Sequence, residues 1–231
     1  MLPSRTIKGR TKLKGSKGWL VKRFVINQQG TNLFSLLQEV AELLRLEKIG
    51  AIPTETYYGL ACNPFSQKAL ERLISIKGRE ESKPIPLLLG RLDDLVLVAE
   101  RIPPIGQKLM KLFWPGPLTL VLPARKGLPK LITAGTGTVG VRLSSLEITR
   151  KVAQAFGGSI TGTSANISSQ PPISDPEEVA NSLPNLDFIL DAGRTEGKAP
   201  STVISVVENR LELIREGAIP FEEIERKLKE V

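Results

Sequence analysis

Two stretches of the chain place hydroxyls and fixed charges where a small anion could be held. Pro53-Thr54-Glu55-Thr56-Tyr57-Tyr58-Gly59-Leu60 leaves an apolar run as a polar, hydroxyl-rich turn. Further on, Lys77-Gly78-Arg79-Glu80-Glu81-Ser82-Lys83-Pro84 sets Lys77, Arg79 and Lys83 around one glycine. A hydroxyl-lined turn opposite a cation cluster suits a small anionic substrate, above all one carrying phosphate. Pro84 restricts the backbone of Lys83 and so limits where that cation points. The cations also have a second account. Positive charge at a helix C-terminus is favourable by about 0.3–1 kcal/mol per residue whatever it binds.

Further segments carry related chemistry. In Thr138-Val139-Gly140-Val141-Arg142 the valines alternate with Thr138, Gly140 and Arg142, which share the other face of a strand. An arginine on a sheet face is either a two-pronged clamp for a carboxylate or half of a surface ion pair. Thr161-Gly162-Thr163-Ser164-Ala165-Asn166-Ile167-Ser168-Ser169-Gln170-Pro171 runs from a strand into hydroxyls and amides. That composition serves ligands and plain turns alike. The segments Gly197 to Val203 and Leu213 to Ala218 add Ser201 and Arg215 near strand ends, where ordinary loop chemistry is the simpler account of each alone.

What is missing narrows the chemistry. The chain has no histidine, which removes the commonest general base and the commonest metal ligand. No two carboxylates are placed for acid–base work; Asp93-Asp94 reads as helix capping or solvated charge. Neither G-x-x-x-x-G-K-[ST] nor a G-x-G-x-x-G following a strand occurs. The single cysteine, Cys62, has no histidine to activate it and reads as a small core residue. Cations plus hydroxyls suit phosphoryl or nucleotidyl transfer, in which positioning and charge stabilisation dominate and no protein nucleophile is needed.

The elements that must position these groups alternate along the chain. Strands are expected at Trp19–Ile26, Ile49–Ile52, Pro86–Leu89, Leu118–Leu122, Thr138–Leu143, Ser159–Thr163, Phe188–Leu190, Thr202–Val207 and Leu211–Ile214. Asn27-Gln28-Gln29-Gly30 reads as a turn after the first. A helix capped by Thr31 or Asn32 runs to about Lys48, with Leu33, Leu36, Leu37, Val40, Leu43 and Leu44 on one face. Ser66 caps a second helix whose C-terminal end delivers Lys77 and Arg79. Helices also read at 104–113, at Glu147–Phe156, from Asp175 to Leu183 with Pro176 first, and at Phe221–Lys229. Interleaved strands and helices joined partly by short turns, such as Glu208-Asn209-Arg210, predict one α/β domain on a mixed sheet.

The 231 residues carry a formal net charge of +8. Arg5, Lys8, Arg10, Lys12, Lys14, Lys17, Lys22 and Arg23 supply that excess, with no acid among them, so the rest of the chain is neutral. Residues 1–18 therefore read as a basic arm ahead of a domain at 19–231. Such an arm can hold RNA or an acidic surface, act as an acid-poor transit segment, or remain a solvated tail. One cysteine permits no intramolecular disulfide and fits a reducing, cytoplasmic compartment. The longest apolar runs fall far below the roughly 20 residues of a membrane span.

The chain resembles the YrdC/TsaC family of threonylcarbamoyl-AMP synthases. The resemblance rests on Pro53-Thr54-Glu55-Thr56-x-Tyr58-Gly59-Leu60, Lys77-Gly78-Arg79 with Lys83-Pro84, Trp114-Pro115-Gly116-Pro117-Leu118-Thr119, Val139-Gly140-Val141-Arg142, Thr163-Ser164-Ala165-Asn166, Pro200-Ser201-Thr202-Val203 and Ile214-Arg215-Glu216-Gly217, in family order. It implies a strongly twisted mixed β-sheet flanked by helices around a concave cationic cavity. It implies nucleotidyl transfer: L-threonine, bicarbonate and ATP give L-threonylcarbamoyl-AMP and pyrophosphate. Magnesium accompanies the ATP without a dedicated protein ligand. A downstream threonylcarbamoyl transferase complex then modifies tRNA.

By motif, Thr56, Arg142, Ser164 and Ser201 would hold threonine or its carbamate. Arg79, Lys83, Thr138, Asn166, Ser174 and Arg215 would hold the nucleotide, and Lys77 with Arg79 would supply catalytic charge near the phosphates. Many relatives carry Asn where Lys83 stands, and some continue into a second domain beyond the position of Val231, so the short form of the family is expected. Two other readings compete. A carbamoyl-transfer domain of the hydrogenase-maturation type would bring zinc-finger cysteines that this chain lacks. A non-catalytic double-stranded RNA-binding module would use the arm but not the paired Thr and Arg elements.

Overall fold

A computed structural model describes residues 21–26 and 32–230 of the chain. The basic arm, Trp19 and Leu20, the turn at 27–30, Thr31 and Val231 lie outside the described residues. The chain runs through β1 (Lys22–Val25), α1 (Leu33–Arg45), β2 (Gly50–Ile52), β3 (Gly59–Ala61), α2 (Gln67–Lys77) and β4 (Leu87–Leu89). A 3-10 helix (Leu92–Leu97) precedes α3 (Pro104–Phe113), β5 (Leu118–Pro123), α4 (Lys130–Thr133), β6 (Thr138–Arg142) and α5 (Glu147–Phe156). There follow β7 (Ser159–Thr161), β8 (Thr163–Ser164), α6 (Pro176–Ser182), β9 (Phe188–Asp191), β10 (Thr202–Ser205), β11 (Glu212–Arg215) and α7 (Phe221–Lys229).

Local signals explain many of the boundaries. Asn32 caps α1 by accepting from the Ser35 amide, and Ser66 caps α2 by accepting from the Ala69 amide. Asp175 accepts from the Glu177 amide at the start of α6, where Pro176 needs no partner for its nitrogen. The first helix stops at Arg45, short of Lys48, because Glu47 turns into the left-handed region at φ 60°. Strand β3 has no counterpart among the expected strands. Its three residues follow a polar turn, and only pairing with β2 on one side and β8 on the other makes them a strand.

The expected mixed α/β architecture is present, and its strands divide between two sheets. One has the order β1-β9-β2-β3-β8, the other β11-β10-β5-β6-β4-β7. Both combine parallel pairs, such as β2 with β9 and β4 with β6, and antiparallel ones, such as β2 with β3 and β5 with β6. Leu37, Val40 and Leu44 of α1 and Val152 and Ala153 of α5 bury one core against Phe188 and Leu190 of β9. A larger core draws Ala51 and Leu60 from the first sheet together with Leu87, Leu120 and Val141 from the second.

The extended segment expected at Ser159–Thr163 belongs to both sheets. As β7 it forms the edge of the six-stranded sheet, and after Gly162 it becomes β8, the edge of the five-stranded one. A Cβ at Gly162 would lie 2.4 Å from Leu88 Cγ on β4. Any side chain at the crossing therefore forces Leu88 to shift. Gly162→Ala should cost about 1–3 kcal/mol through overpacking. Chemical denaturation checks this, and an unchanged midpoint would show that Leu88 has room to move.

Candidate active site

The crossing brings residues of both sheets around one cavity of about 450 Å³. Thr54 and Thr56 enter from the turn between β2 and β3, and Thr163, Ser164 and Asn166 from β8 and the loop after it. From the other sheet come Thr119 on β5, Thr138, Gly140 and Arg142 on β6, and Arg215 on β11, with Ser201 just ahead of β10. Arg79 completes the ring. Gly78 ends α2 at φ 59°, and the Arg79 amide reaches back to the Ile74 carbonyl, so the arginine leaves the helix axis at once.

Three guanidiniums line the cavity, and among the described residues no Asp or Glu does. Each is held from behind. Arg79 donates from Nη2 to the Pro84 carbonyl at 2.7 Å, from Nε to the Lys83 carbonyl at 3.3 Å and from Nη1 to Thr163 Oγ1 at 3.4 Å. Arg215 donates from Nη2 to the Ser201 carbonyl at 2.8 Å and to Ser201 Oγ at 3.3 Å. Arg142 is buried and donates from Nη1 to Thr56 Oγ1 at 3.2 Å. Its Nε lies 4.0 Å from Glu55 Oε1, a buried oxygen that has no hydrogen-bond partner among the described residues. The other Glu55 oxygen accepts from the Ser144 hydroxyl. Burial pushes the pKa of all three arginines down; the Arg215 charge adds to this at Arg79 and at Arg142, while Glu55 opposes it at Arg142. A pocket of crowded, partly desolvated cations gains most from an anion that enters and shares them.

Thr56, Arg79, Thr138, Arg142, Ser164, Asn166, Ser201 and Arg215, all singled out in the sequence, line this cavity. Lys77, Lys83 and Ser174 stand outside its lining. Lys77 is buried behind the wall, where the three hydrogens of Nζ are shared among the Ser164 carbonyl at 2.5 Å, Asn166 Oδ1 at 2.8 Å, the Asn166 carbonyl at 3.0 Å and Ser164 Oγ at 3.2 Å. Burial, aided by the Arg79 charge, pushes its pKa down to about 8. Lys83 is exposed and pairs with Glu80 at 3.3 Å. Ser174 packs against Gly197 in the loop after β9.

Sequence reasoning missed Thr54, Thr119 and Thr163 as wall residues. All three lie inside motifs already quoted, but which hydroxyl faces the cavity depends on pairing between strands. Thr119 Oγ1 lies 2.9 Å from Ser201 Oγ across the parallel β5–β10 pair. Cys62 is buried in the core, hydrogen-bonded near Thr161, and burial pushes its thiol up to about 12. That agrees with a packing role. Among the described residues no group of three or more His, Cys, Asp or Glu could hold a metal ion, and no helix is long and apolar enough to cross a membrane.

Comparison with known proteins identifies the family of the chain. The family model Sua5_yciO_yrdC, described as "Telomere recombination", matches residues 42–217. Threonylcarbamoyl-AMP synthase of Pyrococcus abyssi (strain GE5 / Orsay) is 38% identical over 192 residues, which cover 83% of this chain and 56% of that protein. The chain thus spans little more than half the length of that curated relative. The crystal structure of P. abyssi Sua5 complexed with L-threonine matches with a TM-score of 0.84 at 34% identity, over 92% of this chain and 62% of that one. The crystal structure of E. coli YciO matches with a TM-score of 0.80 at 25% identity, over 89% of this chain and 100% of that one. The family model's match over most of the described residues, together with the fold shared with these solved structures, leads to one conclusion: the chain belongs to the Sua5/YciO/YrdC family.

Proposed function

We propose that this chain is a nucleotidyltransferase that joins L-threonine, bicarbonate and ATP into L-threonylcarbamoyl-AMP, releasing pyrophosphate, as a step toward threonylcarbamoyl modification of tRNA. The observation that carries the reading is the cavity itself: Arg79, Arg142 and Arg215 face it and, among the described residues, no carboxylate does. The named activity of the P. abyssi relative and the threonine in its structure support it.

In this reading Arg142 clamps the threonine carboxylate, with Thr56, Ser164 and Ser201 around the remaining polar groups. Bicarbonate and the amine give the carbamate with loss of water. A carbamate oxygen then bonds to the α-phosphorus of ATP as the bond from that phosphorus to the pyrophosphate oxygen breaks. Arg79 and Arg215 take up the phosphate charge, Thr138 and Asn166 place the nucleoside, and no protein nucleophile takes part. Lys77 acts through the Ser164–Asn166 wall that it holds. Lys83 and Ser174 reach the nucleotide only at the rim of the site. Magnesium enters as part of the substrate, MgATP. The cavity's hydroxyls and amide lack the carboxylate oxygens of a protein cage, so the ion keeps to phosphate oxygens and water.

Pyrophosphate release should require threonine and bicarbonate together. Across amino acids the order should be threonine, then serine, then valine. Loss of a methyl group costs about tenfold, whereas replacing the hydroxyl leaves pocket groups unpaired and costs more. Pyrophosphate from ATP alone, or valine used as well as threonine, refutes the reading.

A further inference from the structure

The hydroxyl of Thr56 has its proton direction set by a residue with no assigned role. Thr54 is buried and its Oγ1 makes three hydrogen bonds: it donates to the Tyr57 carbonyl at 2.7 Å, accepts from the Thr56 amide at 3.1 Å and meets Thr56 Oγ1 at 2.9 Å. A threonine hydroxyl has one hydrogen and two lone pairs. With its hydrogen given to Tyr57, Thr54 can only accept at the third contact, so Thr56 must be the donor there. Thr56 Oγ1 also accepts from Arg142 Nη1. Its hydrogen and one lone pair are then committed, and a single lone pair is left for the cavity.

We propose that Thr54 is a positioning residue that makes Thr56 an acceptor-only contact, selecting a ligand with a hydrogen-bond donor on the carbon next to the carboxylate. Arg142 supplies the carboxylate site beside it, so the donor is the α-nitrogen of an amino acid. After carbamate formation one N–H remains on that nitrogen, and the same contact holds it. The proposal rests on the threonine-binding part of the reading above.

The test uses direct calorimetric binding to the full chain. The probes are L-threonine and two four-carbon acids that differ only at the α-position, a hydroxyl against a carbonyl. L-2-Hydroxybutyrate can donate at the α-position; 2-oxobutyrate can only accept. Wild type should bind the hydroxy acid roughly tenfold more tightly than the oxo acid, since the latter sets acceptor against acceptor. In Thr54→Val the freed Thr56 hydroxyl can turn into the cavity. The preference should shrink to about twofold or reverse, with threonine bound roughly tenfold more weakly. Thr54→Ser keeps the hydroxyl and should keep the wild-type ratio. A ratio near one in wild type overturns the proposal even if Thr54→Val fails to fold, and so does a wild-type ratio in folded Thr54→Val. Threonine binding without pyrophosphate release would remove the proposed reaction alone; no threonine binding at all would remove both.

Discussion

Arg142→Ala is expected to lose nearly all threonine-dependent pyrophosphate release, by roughly two to four orders of magnitude in kcat/KM for threonine. Two charge-assisted hydrogen bonds to the carboxylate disappear, each worth about 1.5–3 kcal/mol, and about 1.4 kcal/mol is a factor of ten. The same change is expected to weaken the fold. Arg142 is buried, and Glu55 Oε1, 4.0 Å from its Nε, has no other partner among the described residues. Removing one member of a buried pair typically costs about 3–5 kcal/mol, because the other charge stays behind uncompensated. A separation of 4.0 Å, longer than a hydrogen bond, puts the expectation at the lower end. The two losses can be separated. Arg142→Ala combined with Glu55→Gln should regain most of the denaturation midpoint and none of the activity. Near-native kcat/KM in the single variant would refute the carboxylate clamp.

Arg79→Ala should act on the nucleotide instead. Its guanidinium lines the cavity, and Arg79 follows directly on Gly78, the cap that ends α2. We expect the KM for ATP to rise and kcat/KM to fall by roughly tenfold to a hundredfold, on charge-assisted contacts of about 1.5–3 kcal/mol. Threonine binding measured by calorimetry should stay within about twofold. A small stability loss is expected too, since Arg79 ties the Lys83 and Pro84 carbonyls to Thr163. Unchanged ATP dependence would move phosphate recognition to Arg215 alone.

The parts of this site that are legible in the sequence are those governed by neighbours in the chain. The Ser66 cap, the glycine after Lys77 and the alternation through Val139 and Val141 each act over a few residues, and each appears where its local chemistry puts it. What cannot be read depends on partners far away. Lys77 reads as a cation offered to phosphate, yet four oxygens from Ser164 and Asn166 enclose it. Strand β3 exists through its ladders with β2 and β8, and the division into two sheets follows from pairings that no periodicity encodes. The proton direction at Thr56 is a different case: its partners on Thr54 and Tyr57 are near in the chain, but composition does not say which oxygen of the turn each hydroxyl meets.

The strand that changes sheets at Gly162 has a mechanical consequence. Arg142 belongs to one hydrogen-bonded ladder, while Thr56 stands beside the other, and the single bond between these two side chains is a rung across the seam. A ligand gripping both adds rungs at that place. The fold resembles a book whose spine includes Ser159–Ser164, and a ligand held by both side chains would be its clasp. Prying the covers apart by force should therefore demand more work when the site is filled, although no backbone ladder has changed.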